Sequence, residues 1–113
     1  MINNQIILFK FIQIHTNVSW YIISHTYILS EHFIREFKDK VNWNLISINQ
    51  ELSENFIREF QNKVNWYWIS KFQILSEDFI REFKDKVSWE YISLHQKLSE
   101  NFILEFQDKV RLV

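Results

Sequence analysis

The sequence predicts an all-α solenoid of stacked two-helix units, and three observations support this fold class. A pattern of 23 residues repeats from the second sixth of the chain to its end. Within each unit the apolar residues recur at steps of three and four, which is the period of an amphipathic helix. The chain contains no glycine and no proline, so sheets that reverse direction at frequent tight turns are disfavoured.

The repeat also predicts the domain organisation. We expect one domain, with an N-terminal cap segment over residues 1–17 and a helical repeat solenoid over residues 18–113. The cap segment lacks the Ser-Glu start of the other units and is rich in β-branched residues, so a distorted helix and a strand-like cap both stay open. The units of the repeat begin near residues 6, 29, 52, 75 and 98.

Each full unit is expected to contain two short helices, as in the unit that starts at Leu52. Ser53 is a suitable N-cap for a first helix over about residues 54–63. Asn65 is a suitable N-cap for a second helix of about eight residues that starts at Trp66, and the other units have Asn or Ser at this position. Helices this short are marginal alone, so their stability must come from stacking of the units.

Charged residues of the first helix are spaced for ion pairs along that helix. Glu54 precedes Arg58, and Glu59 precedes Lys63, by four residues in the favourable order. We therefore expect ion pairs within each first helix. The equivalent pairs in the neighbouring units are Glu31 with Arg35 and Glu77 with Arg81.

Apolar and aromatic residues that recur at fixed positions of the unit are expected to form the structural core. The recurring Trp and Ile of the second helix should face the neighbouring unit, since they follow the helical period. The predicted core comprises Val18, Trp20, Ile23, Leu29, Phe33, Ile34, Phe37, Val41, Trp43, Ile46, Leu52, Phe56, Ile57, Phe60, Val64, Trp66, Ile69, Leu75, Phe79, Ile80, Phe83, Val87, Trp89, Ile92, Leu98, Phe102, Ile103 and Phe106.

Two sets of polar residues also recur at the same position of successive units, and each such set is called a column. The serines are expected to be small residues at helix contacts, with each hydroxyl bonded to the carbonyl four residues before it. The glutamines either form a hydrogen-bonding ladder between units or lie on a solvated helix edge. The two columns are Ser24, Ser47, Ser70 and Ser93, and Gln50, Gln73 and Gln96.

Composition narrows the classes of function. Cysteine is absent, which excludes disulfides, thiolate nucleophiles and cysteine-based metal sites. The formal net charge of −1 gives no general attraction to phosphate backbones or anionic lipids. The apolar run IILFKFIQI is interrupted by Lys10 and Gln13, and it is too short to span a bilayer. A soluble cytoplasmic protein with no membrane contact, no metal and no cofactor is expected.

The residue types needed for catalysis are not grouped by the repeat. The four histidines occupy different places in the unit, and no Ser-His-Asp arrangement can be placed, so we expect a non-enzymatic protein. An RNA-binding alternative would use Arg35, Arg58 and Arg81 along a phosphate backbone. Each of these arginines has a Glu four residues before it, which opposes that alternative.

Columns that change from unit to unit indicate a binding surface. A solenoid binds through a continuous face on which the scaffold does not dictate the side chains. The leading hypothesis is therefore a scaffold that binds another protein, whereas simple exposure also explains the variation. The competing function is end-to-end self-assembly into homo-oligomers through the incomplete terminal repeats. The candidate partner-binding residues are Tyr21, Asn44, Tyr67, Trp68, Lys71, Phe72, Glu90, Leu94 and His95.

The recurring pattern LSExFIxEFxxKVxWxxISxxQ resembles short tandem repeats found in proteins of giant DNA viruses that infect protists. The resemblance covers about residues 18–113 and brings no catalytic residue with it. It implies a viral protein in the host cytoplasm, with a host or viral protein as its partner. The unit also resembles variant leucine-rich repeats, from which it departs by its Trp and its lack of proline.

Overall fold

The computed structural model describes residues 4–15 and 17–111, which form nine helices and no strand. The described chain is elongated, with extents of 54 × 26 × 23 Å. The predicted all-α solenoid is therefore confirmed. The helices are α1 (Asn4–Ile14), α2 (Trp20–Thr26), α3 (Glu31–Glu36), α4 (Trp43–Asn49), α5 (Glu54–Glu59), α6 (Trp66–Phe72), α7 (Glu77–Glu82), α8 (Trp89–His95) and α9 (Glu100–Glu105).

The helices begin at the predicted N-caps. Ser53 Oγ accepts a hydrogen bond from the Phe56 N–H at 3.1 Å, which starts α5. Asn65 Oδ1 accepts from the Trp68 N–H at 3.2 Å, which starts α6. Each bond satisfies an N–H group that has no partner within its own helix. The same type of bond is made by Ser19, Ser30, Asn42, Ser76, Ser88 and Ser99.

The first helix of the unit is shorter than the predicted span of residues 54–63. Phe60 leaves the helical conformation with φ −106° and ψ 29°. The chain then turns, and the N–H groups of Lys63 and Val64 both donate to the Phe60 carbonyl, at 2.9 and 3.0 Å. This turn buries Val64 and redirects the chain, so that the second helix lies within the same unit.

The N-terminal cap is a helix, so the strand-like alternative is wrong for the described residues. α1 covers the unit that follows it, with Leu8 buried and the Phe9 ring 5.5 Å from the Phe37 ring. Gln5 accepts a hydrogen bond from the Ser30 N–H at 2.9 Å and donates to the Ile28 carbonyl. α1 thus takes the place of a first helix. Residues 1–3 and 16 of the predicted cap lie outside the described residues.

A ladder of glutamine side chains forms hydrogen bonds with the backbone N–H and C=O groups at the corners between units. Gln73 ends α6 in an extended conformation, and no described residue has a positive φ. Gln73 Oε1 accepts from the Leu52 N–H at 3.1 Å, and its Nε2 donates to the carbonyls of Ser47 and Gln50 at 3.0 and 2.7 Å. The ladder alternative is therefore correct, and Gln50 and Gln96 make the corresponding bonds.

The serine column links each second helix to the next unit. The Ser47 hydroxyl donates to the Trp43 carbonyl at 2.7 Å, which confirms the predicted bond to the carbonyl four residues earlier. Ser47 Oγ also accepts from the Asn65 N–H at 3.0 Å, a bond to the next unit. A larger side chain would separate the two units, and one without a hydroxyl would leave this N–H unpaired. The equivalent bonds between units start from Ser24, Ser70 and Ser93.

The four-residue ion pairs predicted within the first helix are wrong, because their members bond to neighbouring units instead, although Arg81 also pairs with Asp78 of its own helix at 2.7 Å. Arg58 makes two hydrogen bonds of 2.8 Å to the Glu82 carboxylate of the next unit. The Glu54 carboxylate accepts from the Ser76 N–H and hydroxyl at 2.6 and 2.9 Å. When the units stack, each Arg reaches a carboxylate that it can bind with two hydrogen bonds, and each Glu reaches an N–H group that has no other partner. Both contacts are stronger than an i, i+4 ion pair. Equivalent contacts are Arg35–Glu59, Arg81–Glu105, Glu31–Ser53 and Glu77–Ser99.

Acid is expected to weaken the fold through this Arg–Glu ladder. The hydrogen bond from Arg58 holds the pKa of Glu82 below its ordinary value of 4.5. A lowered pKa in the folded state stabilises the fold while the carboxylate is ionised. This contribution is complete above about pH 4.5 and disappears as the pH falls through the lowered pKa. The pKa values of Glu59 and Glu105 are lowered in the same way.

Urea unfolding followed by circular dichroism at several pH values between about 6 and 3 tests this expectation. The urea midpoint of the parent should fall with pH. The double variant Arg58→Gln/Glu82→Gln lacks one of the pairs, so its midpoint should fall less over the same range. An equal fall in both proteins would contradict a role for the ladder in acid stability.

Most of the predicted core side chains are buried. The recurring isoleucines of the interior helices are fully buried, as at Ile57 and Ile69. The recurring tryptophans are half-buried and contact the next unit, with the Trp66 ring 4.9 Å from the Phe83 ring. Leu8 is a buried residue that the repeat pattern did not indicate. The half-buried members of the predicted core are Val18, Trp20, Phe37, Trp43, Trp66, Trp89, Leu98 and Ile103.

Candidate protein-binding surface

The candidate partner-binding residues all lie on the second helices. Successive second helices, α2 to α4, α4 to α6 and α6 to α8, pack directly against one another. Because residues 23 apart occupy the same place in successive units, the variable columns lie side by side along this row of helices. We call the exposed side of α2, α4, α6 and α8 the variable face.

Five side chains in the middle of the variable face form a compact group, here named the aromatic cluster. It consists of Tyr67, Trp68, Lys71, Phe72 and Tyr91. The hydroxyls of Tyr67 and Tyr91 are hydrogen-bonded at 2.6 Å, and their ring centroids lie 4.4 Å apart at a steep angle. The Trp68 ring lies 4.7 Å from the Tyr67 ring and 5.9 Å from the Phe72 ring. These contacts hold four aromatic rings together at the surface.

Lys71 lies among these rings. Its ammonium nitrogen is 5.2 Å from the ring centroids of Phe72 and Tyr91, and 5.8 Å from that of Trp68. An ammonium at such distances is attracted by the electron-rich ring faces. The cluster therefore combines aromatic surface with one positive charge, and two of its rings, those of Tyr67 and Phe72, remain 45% and 46% exposed.

Tyr91 is a member of the cluster that the sequence reasoning missed. It stands 23 residues after Trp68 and so occupies the same position of the next unit. Its hydrogen bond to Tyr67 also raises the pKa of the Tyr67 hydroxyl, an effect to which the nearby charge of Glu90 adds. Extending the column of Trp68 by one period would have identified it.

The other candidate residues divide into two groups. Glu90, Leu94 and His95 are exposed on α8 beside the cluster, and the His95 ring lies 5.6 Å from the Tyr91 ring. Tyr21 lies on α2, at the far end of the row, and its ring is stacked on the ring of His25 in the same helix. Asn44 Oδ1 accepts a hydrogen bond from Asn65 Nδ2 at 2.9 Å, so its side chain already links α4 to α6. Seven of the nine candidates thus lie on α6 and α8, whereas Tyr21 and Asn44 lie on α2 and α4.

The first helices expose a different chemistry. The RNA-binding alternative would use their arginines. Each of these arginines makes a bidentate contact with a carboxylate of the next unit. Each guanidinium also lies over a phenylalanine ring, as that of Arg58 does at 5.6 Å from the Phe79 ring centroid. The positive charge of these arginines is therefore balanced locally. The apolar and aromatic side chains of the variable face contrast with this charged side.

Residues 4–15 and 17–111 contain neither a metal site nor a membrane-spanning helix. No group of three His, Asp or Glu side chains in this part of the chain is placed to hold a metal ion. None of the helices formed by these residues has the length and apolar character required to cross a membrane.

Comparison with known proteins found no matching family, no matching curated protein and no matching solved structure.

Proposed function

We propose that the protein is a non-enzymatic repeat scaffold that binds another protein through the variable face. The observation that carries this proposal is the aromatic cluster, which exposes two large rings next to a cation. Protein interfaces favour such aromatic and basic anchors at their centres. Exposed rings are also costly in water, and a partner that covers them recovers this free energy.

Recurring and variable residues make different kinds of contact, and this difference supports the proposal. The contacts that join units are made by recurring side chains such as Gln73 and Ser47, together with Arg58. Tyr67 also contacts the next unit through its hydrogen bond to Tyr91, but this contact occurs at one junction only, because the positions of Tyr67 and Phe72 are filled by other residue types in neighbouring units. Their aromatic side chains are therefore not required by the solenoid, which leaves them available for recognition.

The double variant Tyr67→Ala/Phe72→Ala is expected to lose partner binding and to keep its fold. Tagged parent and variant proteins are incubated with cell lysate, and the captured proteins are quantified by mass spectrometry. The matched control is Phe11→Ala/Tyr27→Ala, which removes one Phe and one Tyr of similar exposure, 49% and 41%, away from the cluster. Far-ultraviolet circular dichroism checks that each variant is folded.

A protein captured by the parent and the control, but not by the cluster variant, would support the proposal. A protein captured equally by all three would contradict it, since binding would then not need the cluster. Purification of that protein and a binding titration with the parent would establish whether the contact is direct.

End-to-end self-assembly is a second candidate, favoured by Leu104. This residue is 59% exposed on α9, at the position where the preceding units have Arg35, Arg58 and Arg81. Exposed Ile14 of α1 is a corresponding apolar group at the opposite end of the solenoid. Recovery of the protein's own chain alone in the capture experiment would favour this candidate, and light scattering would then show oligomers.

A further inference from the structure

The aromatic cluster contains hydrogen-bond donors that have no acceptor. The three N–H groups of the Lys71 ammonium have neither a hydrogen-bond partner nor a carboxylate within 4 Å among the residues that the structure describes. The Tyr67 and Tyr91 hydroxyls share one hydrogen bond, in which only one of them donates. The other O–H of this pair is left as a second free donor.

Lys71 differs from the cations of the first helices in this respect. Arg35, Arg58 and Arg81 each have a bidentate carboxylate partner. Lys71 is half-buried, and three aromatic rings lie around its ammonium, which limits its hydration. A partly dehydrated cation gains more from a carboxylate than a fully hydrated one, because the surrounding dielectric constant is lower.

The apolar surroundings limit what the carboxylate can be attached to. Phe72 and Tyr67 expose ring surface next to Lys71, so a ligand that reaches the ammonium also contacts the rings. A hydrated anion alone would leave these rings in water. A peptide that places an apolar side chain next to an acidic one would cover the rings and pair with the donors at once.

We infer that the aromatic cluster recognises a protein segment in which an acidic side chain neighbours a large apolar or aromatic one. This inference rests on the proposed protein-binding function and specifies the chemistry of the partner. Lys71 and the free tyrosine O–H take the carboxylate, while Tyr67 and Phe72 take the apolar side chain.

Selection from a random-peptide phage library tests the inference. The library is selected on the immobilised parent protein, after depletion on the Tyr67→Ala/Phe72→Ala variant, and the enriched peptides are sequenced. We expect Asp or Glu to be enriched close to Phe, Trp or Leu. A synthetic peptide of the enriched type should bind the parent, and Lys71→Glu should weaken its binding at least about tenfold, because attraction is replaced by repulsion. Lys97→Glu makes the same change in net charge at an exposed lysine outside the cluster, and should leave the affinity unchanged.

The possible results separate this inference from the proposed function. The inference would be overturned if the selected peptides require Tyr67 and Phe72 but show no excess of acidic residues. It would also be overturned if they bind the Lys71→Glu variant as tightly as the parent. Neither result would contradict the protein-binding function. No peptide that prefers the parent to the depleted variant would overturn both. Lys71-dependent binding of a fluorescent single-stranded oligonucleotide, with no acidic peptide selected, would assign the anion to nucleic acid and overturn the inference.

Discussion

Replacement of Gln73 by leucine is expected to lower the free energy of unfolding by about 4 kcal/mol, since an unsatisfied buried polar group costs about 1–3 kcal/mol. Gln73 makes three hydrogen bonds to buried backbone groups, those of Ser47 and Gln50 in the preceding unit and that of Leu52 at the start of its own unit. Leucine fills a similar volume and bonds to none of them. The loss is a large part of the stability of a domain this small.

Urea unfolding followed by circular dichroism measures this effect, with Gln96→Leu as the matched control. Gln96 makes the same bonds one unit later but is only half-buried, so water can replace some of its hydrogen bonds in the variant. We expect Gln96→Leu to lower the free energy of unfolding by about 2 kcal/mol. Equal and small losses in both variants would show that the ladder contributes little to stability.

Replacement of Ile57 by alanine is expected to lower the free energy of unfolding by a similar amount, about 4 kcal/mol. Its side chain has no exposed surface and lies in the hydrophobic core of the solenoid. Removal of three carbons leaves a cavity that neighbouring units, held in place by their ladders of polar bonds, cannot easily fill. The cost therefore includes both the lost burial and the cavity.

Ile103→Ala is the control for this prediction, because Ile103 occupies the same position of the repeat but is half-buried. The change there should lower the free energy of unfolding by about 1 kcal/mol, since it removes less buried surface and opens the site to water. Thermal and urea unfolding of the two variants provide the comparison. Equal losses would mean that position in the stack does not determine the contribution of a residue.

Features governed by neighbours in sequence could be predicted from the sequence. The N-caps at Ser53 and Asn65 follow from side chains that bond to N–H groups three residues later, so the residue types suffice to identify them. The helical period likewise identified the buried face that includes Ile57 and Ile69. The 23-residue repeat then extended these local features to the whole chain.

Features governed by contacts between units could not be predicted in the same way. Arg58 lies four residues after Glu54 in sequence, yet it pairs with Glu82, which is 24 residues away. Choosing between these partners requires the relative position of successive units, which the repeat period alone does not provide. The early end of α5 has the same origin, because the turn after Phe60 depends on how the two helices of a unit pack. The hydrogen bond between Tyr67 and Tyr91 also joins two units, although the repeat period by itself places Tyr91 at the position of Trp68.

The fixed sequence distances of the interunit bonds have a consequence for how this protein can change in length. The serine bonds always span 18 residues, the bonds from glutamine Nε2 to the glutamine carbonyl of the preceding unit span 23, and the Arg–Glu contacts span 24. Duplication or deletion of 23 residues inside the array restores every one of these pairings with an equivalent residue. Insertion of one residue shifts every pairing that spans the point of insertion. The gene should therefore tolerate gain or loss of a whole repeat better than a far smaller in-frame change within one.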